Sequence, residues 1–135
     1  MGKTARVKFG KFVRQKREAK QIGLREMARM IRISPTYLSK VERDEFNPPA
    51  EEKIKAIAEI LDLDVDELLA RAGKVSSDLT EIIKEHPRTV AQILRGTNTM
   101  SDDQKADFYT DIIEAMKKRN IPAYSNRRRT GQRPR

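Results

Sequence analysis

The 135-residue sequence predicts an all-α protein. Two observations carry this. Apolar residues recur at i, i+3, i+4 and i+7 in several separate stretches, the spacing of one buried helix face. The stretches are also punctuated by helix-start and helix-stop chemistry, with short connections between them.

Taken in order, Phe9, Phe12 and Val13 place an apolar stripe in a basic first helix running to about Lys20. In "LREMARMI", Leu24, Met27, Ala28 and Ile31 define a second, strongly amphipathic helix of about two turns, just after Gly23. Ser34 suits an N-cap and Pro35 the first helical position, where a missing N–H is harmless, so a third helix starts there. Leu38, Val41 and the preceding Ile33 suit a core. The third helix ends near Arg43, because Asp44 and Asn47 favour turns and Pro48 and Pro49 cannot continue it.

Ile54, Ile57, Ala58 and Leu61 mark a fourth helix over Ala50–Leu61, with Glu51 and Glu52 near its positive end. Asp64 and Glu67 have the spacing of a capping box that opens a fifth helix, Val65–Ala72, and Gly73 suits the position after its end. Five short helices of this kind make a domain of about 70 residues, able to fold alone but only marginally stable.

Beyond it, "SSDLTEIIKEH" and "PRTVAQILRG" predict two helices separated at Pro87, followed by a turn at "GTNT". Ser101 and Gln104 then form a second capping-box pattern before a helix bearing Phe108, Ile112, Ile113 and Met116. Those apolar faces are too narrow for a core of their own and need another surface, from the fifth helix or a second copy of the chain. From Asn120 onward, "NIPAYSNRRRTGQRPR" has the composition of a segment that is disordered when free. The expected organisation is residues 1–73, 74–119 and 120–135.

The net charge of +9 is unevenly distributed. Residues 1–43 hold 13 basic and 3 acidic side chains, residues 44–72 hold 3 and 9, residues 73–119 balance at 8 and 8, and the last sixteen hold five arginines and no acid. A positive field from the first third and the tail suits a polyanion, nucleic acid or an acidic membrane surface. With no cysteine there is no thiolate metal site, cysteine nucleophile or disulfide, and a reducing cytoplasm is the expectation. The N-terminus has no signal-peptide apolar run, and no stretch is apolar enough to span a bilayer. The chain is read as cytoplasmic and nucleoid-associated, with no membrane role.

The second helix, tight turn and third helix form a helix-turn-helix, whose outer polar side chains would meet base edges in a major groove. At this level the sequence resembles the Cro/C1 (XRE) family of regulators. The likeness runs from Phe9 to Leu69 through "LREMA", "ISPTYLSKVER" and "DVDELL" in the expected order and spacing. It implies a five-helix, lambda-repressor-like DNA-binding domain, here with a helical C-terminal extension and a basic disordered tail. It also implies a homodimer on a palindromic operator in double-stranded DNA, acting as a repressor, often of its own operon.

By position, the resemblance assigns Arg25 a phosphate contact and Thr36, Tyr37, Ser39 and Lys40 the base- and backbone-reading positions. Arg32, Ser34 and Arg43 flank them as further DNA-binding candidates. Glu42 matches a residue that pairs with a first-helix arginine, here Arg17, in a structural role. The sequence departs from the pattern at two turn glycines, replaced by Arg32 and Asp44. Asp tolerates the left-handed conformation better than Arg, so Arg32 either strains its turn or changes it, and its charge can add a phosphate contact.

The remaining motifs favour plainer readings. Asp62, Asp64 and Asp66 lack the Gly and Glu placements of a calcium loop and read as capping residues. His86 has no second histidine or cysteine with which to build a metal site or a triad. No cofactor, metal or catalytic residue is expected. Arg127, Arg128 and Arg129 suit a DNA arm without sequence reading. Single-stranded RNA is disfavoured because Tyr37 is the only good stacking candidate. The rival class is an antitoxin or adaptor, in which residues 74–119 grip a protein partner or antirepressor and DNA binding is secondary.

Overall fold

The computed structural model describes residues 7–122. The described residues are helical throughout, with eight helices and no strand: α1 Phe9–Ala19, α2 Leu24–Ile31, α3 Pro35–Glu42, α4 Glu51–Leu61, α5 Val65–Arg71, α6 Ser77–Glu85, α7 Pro87–Thr97 and α8 Asp102–Lys118. Two compact units divide between Ser76 and Ser77. The sequence expectation put that division three residues earlier. The buried Ser76 now ends the first unit.

In the first unit α3 packs on α1 and α2, α2 also packs on α4, and α4 packs on α5. The stripes read from sequence meet at the centre, where Val13, Met27, Ala28, Leu38, Ile54, Ile57, Ala58 and Leu69 have no accessible surface. Outside this core, Phe12 is clasped by two cations, the Arg71 guanidinium 3.8 Å and the Lys16 ammonium 5.4 Å from its ring centre. The first contact ties the end of α5 to α1, a cation–π attraction reinforcing apolar cover.

Helix ends in this unit follow the local chemistry closely. Ser34 Oγ accepts from Tyr37 N at 3.0 Å and Asp64 Oδ1 accepts from Glu67 N at 2.9 Å, each satisfying an orphan N–H of a first turn. Gly73 takes φ +72°. Lys8, Gly23 and Ala50 offer no side-chain cap to α1, α2 and α4, and for α1 a distant residue supplies one. The carboxylate of Asp44, 34 residues away, takes that role, accepting from Gly10 N at 2.8 Å and Lys11 N at 3.2 Å. An acidic group at a helix N-terminus also meets the positive end of its dipole.

Arg32 adopts the left-handed conformation, φ 59° and ψ 50°, with Ile33 N donating to Ala28 O at 3.0 Å. Lys53 Nζ donates to Ile31 O at 2.9 Å and satisfies a further terminal carbonyl of α2. An L-residue is disfavoured there by contact of its Cβ with the backbone. Arg32→Gly therefore raises the unfolding free energy by roughly 1 kcal/mol in a denaturant titration; a fall would mean that the arginine side chain packs usefully.

In the second unit α6 packs on α7, and Tyr109 Oη on α8 donates to Thr97 Oγ1 on α7 at 3.3 Å. Ser101 and Gln104 form a complete capping box. The sequence reading stopped the preceding helix at Gly96, whereas α7 runs on to Thr97, whose hydroxyl donates to Leu94 O at 2.7 Å. That back-bond holds the last turn. Among the described residues of this unit no apolar one is buried. Leu79, Ile82, Ile93, Leu94, Ile112 and Ile113 are all exposed.

Candidate nucleic-acid interface

Helix α3 has two unlike sides. Leu38 and Val41 are buried and anchor it, while Thr36 is exposed and Tyr37, Ser39 and Lys40 are half-buried. Arg25 in the first turn of α2, Arg32 in the turn and Arg43 just past α3 are all exposed cations. A rigid helix thus presents a hydroxyl and an ammonium, with guanidinium groups on the elements that flank it. Such groups donate to phosphate oxygens and to acceptors on base edges.

Several of these residues also have work within the protein. Ser34 is the α3 N-cap, so its oxygen serves the backbone while its O–H remains available to donate. Arg43 pairs with Glu45 at 3.1 Å and donates to Ser39 O at 3.4 Å. The ion pair is exposed and weak enough for a polyanion to displace. Tyr37 packs against the core and lies 5.9 Å from the ring of Phe46, so its ring is supported by the protein while it stays half-exposed.

Phe46 is a surface residue that sequence reasoning missed. It is 46% exposed and carries the Lys40 ammonium 5.0 Å from its ring centre. The available signal was a lone aromatic in the polar turn between α3 and the two prolines. Tyr37 is therefore not the only aromatic near the α3 surface. Arg127, Arg128 and Arg129, the arm read from sequence, lie outside the described residues.

Beneath the surface, Arg17 and Glu42 form a two-point buried pair: Nε to Oε2 at 2.7 Å and Nη2 to Oε1 at 2.8 Å. Nη1 donates to Ile22 O at 2.8 Å, so one guanidinium ties α1 to the end of α3 and to the turn before α2. Hydrogen bonding to Glu42 raises the Arg17 pKa above its ordinary value; burial opposes this, and the charges of Glu42 and Glu18 add to the rise. Both side chains are largely buried, that of Glu42 the more completely.

Among the described residues no cluster of His, Cys, Asp or Glu is placed to hold a metal ion, and no helix is long and apolar enough to cross a membrane. Asp62 sits in the left-handed position that ends α4 and Asp64 caps α5, which accounts for the spaced aspartates.

Residues 10–74 match the family model described as a helix-turn-helix domain. An HTH-type transcriptional regulator of Mycobacterium tuberculosis, found in two strains, is 30% identical over 76 residues, 56% of this chain. The chain spans about half, 54%, of the length of these curated relatives. Among solved structures, the biofilm regulator SinR in complex with DNA is 30% identical and shares 45% of this chain and 97% of that one, at TM-score 0.42. The N-terminal DNA binding domain of SinR from Bacillus subtilis is likewise 30% identical and shares 45% of this chain and 88% of its own, also at 0.42. The clp gene regulator ClgR from C. glutamicum is 32% identical over 48% of this chain and 83% of its own, at 0.41. Residues 10–74, just under half of the chain, are thus similar to a helix-turn-helix domain, the motif that α2, the Arg32 turn and α3 build.

Proposed function

We propose that this protein is a DNA-binding transcriptional regulator that represses from a palindromic operator as a homodimer, its own operon included. The observation that carries the reading is the outer face of α3, where Thr36, Ser39 and Lys40 stand on a helix held by buried Leu38 and Val41 and flanked by Arg25, Arg32 and Arg43. A major groove admits one such helix, and the flanking cations then reach phosphates on either side. The names of the curated relatives support the regulatory role.

Support for the dimer comes from the second unit. Among its described residues it buries no apolar one, yet exposes Leu79, Ile82, Ile93, Leu94, Ile112 and Ile113, a surface of the kind that a second copy covers. In a two-fold dimer the two α3 helices would enter successive major grooves about 34 Å apart.

Selection of bound duplexes from a random library at about 0.15 M salt, with the mass of the complex measured in parallel, tests both statements. Enrichment of an inverted repeat with half-sites about one helical turn apart is the expected result. Salt-sensitive binding without enrichment would leave a coat of positive charge that reads nothing. In that case a protein partner for residues 74–119 becomes the better account. Lys40→Ala weakens binding to the enriched duplex by about 1–3 kcal/mol and relaxes the preference at one base pair; equal loss on random DNA would make Lys40 a phosphate contact.

A further inference from the structure

Phe46 follows α3 in a turn of polar residues and leaves nearly half of its surface in water. Its position is explained by what it touches. The chain folds back on the end of α3, with Glu45 N and Phe46 N both donating to Lys40 O at 3.0 and 3.3 Å. The Phe46 ring then lies 5.9 Å from Tyr37, tilted by 45°, and its face stands 5.0 Å below the Lys40 ammonium. Tyr37 itself rests on the core, so the ring has a fixed support.

The attraction between an ammonium and an aromatic face uses the charge of the lysine and the quadrupole of the ring. It leaves the N–H donors of Lys40 able to meet an acceptor. A lysine otherwise loses most of its rotamer freedom when it binds, and that loss weakens the contact. One that is already held before binding loses less, and its donors arrive at one place.

We propose that Phe46 is a specificity-determining positioning residue of the α3 surface: supported by Tyr37, it holds the Lys40 ammonium at the last turn of α3, so that this donor meets one base pair and does not wander among neighbouring phosphates. This rests on the reading of α3 as the DNA-contacting helix.

The test is sequence-resolved binding of the full chain to a random duplex library, for the wild type, Phe46→Ala, Lys40→Ala and the double variant, with thermal unfolding of each. Arg25→Ala and Thr36→Ala serve as independent probes of the surface. Phe46→Ala should lose roughly two- to fivefold in affinity for the preferred duplex and flatten discrimination at the same base pair as Lys40→Ala. It should add nothing in the Lys40→Ala background and leave the melting temperature in place. Phe46→Tyr should restore both affinity and discrimination, while Phe46→Leu should not.

A loss of the same size in the Lys40→Ala background would overturn the proposal in favour of direct contact between the ring and DNA. A loss that follows the melting temperature and is rescued by leucine would overturn it in favour of packing alone. If the Phe46 and Lys40 variants bind as wild type while Arg25→Ala and Thr36→Ala weaken binding, the positioning role fails and the DNA reading stands. If none of the four single alanine variants weakens binding, the DNA reading fails and takes the proposal with it.

Discussion

Truncating Glu42 to alanine lowers the stability of the helix-turn-helix unit by about 3–5 kcal/mol, the largest effect expected of any surface-distant polar change in this chain. The reason is asymmetric. Arg17 is buried and donates through two nitrogens to Glu42, so removing the carboxylate strands a charged guanidinium in a place water barely reaches. A domain of about 70 residues has a total stability of only a few kcal/mol, so the variant is expected to be largely unfolded near body temperature.

Chemical denaturation of Glu42→Ala, of Arg17→Met and of the double variant Arg17→Met with Glu42→Leu checks this account. The double variant should recover most of the loss, because an apolar pair of similar volume carries no stranded charge. Equal instability of double and single variants would mean that the geometry of the bonds matters and the stranded charge does not. The pH dependence has a definite sign as well. A raised arginine pKa contributes stability that is complete below its unfolded value and is lost only as pH climbs through the folded one. Since a free guanidinium already holds its proton far above neutral pH, Arg17 contributes no pH dependence across the neutral range.

Gly10→Ala is the second large effect, about 3 kcal/mol in sum from overpacking and the loss of a cap. A methyl group at Gly10 would fall onto the Val41 carbonyl oxygen and lie 2.7 Å from Asp44 Oδ1. One of these neighbours is backbone in the last turn of α3, and the other is the carboxylate that caps α1. Helix α1 must therefore back away from α3 and forfeit the Asp44 bonds together. Denaturation of Gly10→Ala beside Asp44→Ala separates the contributions. The glycine variant should be the less stable of the two, and near-additive behaviour of the double variant would show that packing and capping are independent.

The two variants bear differently on what was readable in advance. The departure from glycine at position 44 could be seen in the sequence, and so could the tolerance of Asp for a left-handed turn. Its second role could not. Nothing in "VERDEF" connects Asp44 to Gly10 until α1 and α3 pack, and the sequence position of Gly10 gives no hint that a methyl group is forbidden there. Arg17 and Glu42 were paired only through a family resemblance, since 25 residues separate them and neither stands out by spacing. Tyr37 occupies a reading position by count along the helix, and only the packed structure shows that its ring also rests against the core and beside Phe46. Phe46 escaped attention because an aromatic in a turn has no periodicity to mark it.

What the sequence by itself determined is local: the helices and their order, the Ser34, Asp64 and Ser101 caps, the stop at Gly73 and the choice of Leu38 and Val41 as the anchored side of α3. Those follow from a 3.6-residue period and from cap chemistry acting over three or four residues. Only the tertiary structure decided that Asp44 caps α1, that Gly10 admits no side chain, that Arg17 grips Glu42 through two bonds and that Phe46 lies under Lys40. The first three rest on groups 25 to 34 residues apart, and the last on a turn folded back onto the helix it follows. Bonds and contacts of that kind come into being when packed helices and returning chain bring the groups within about 3 to 5 Å, a distance that no local pattern encodes.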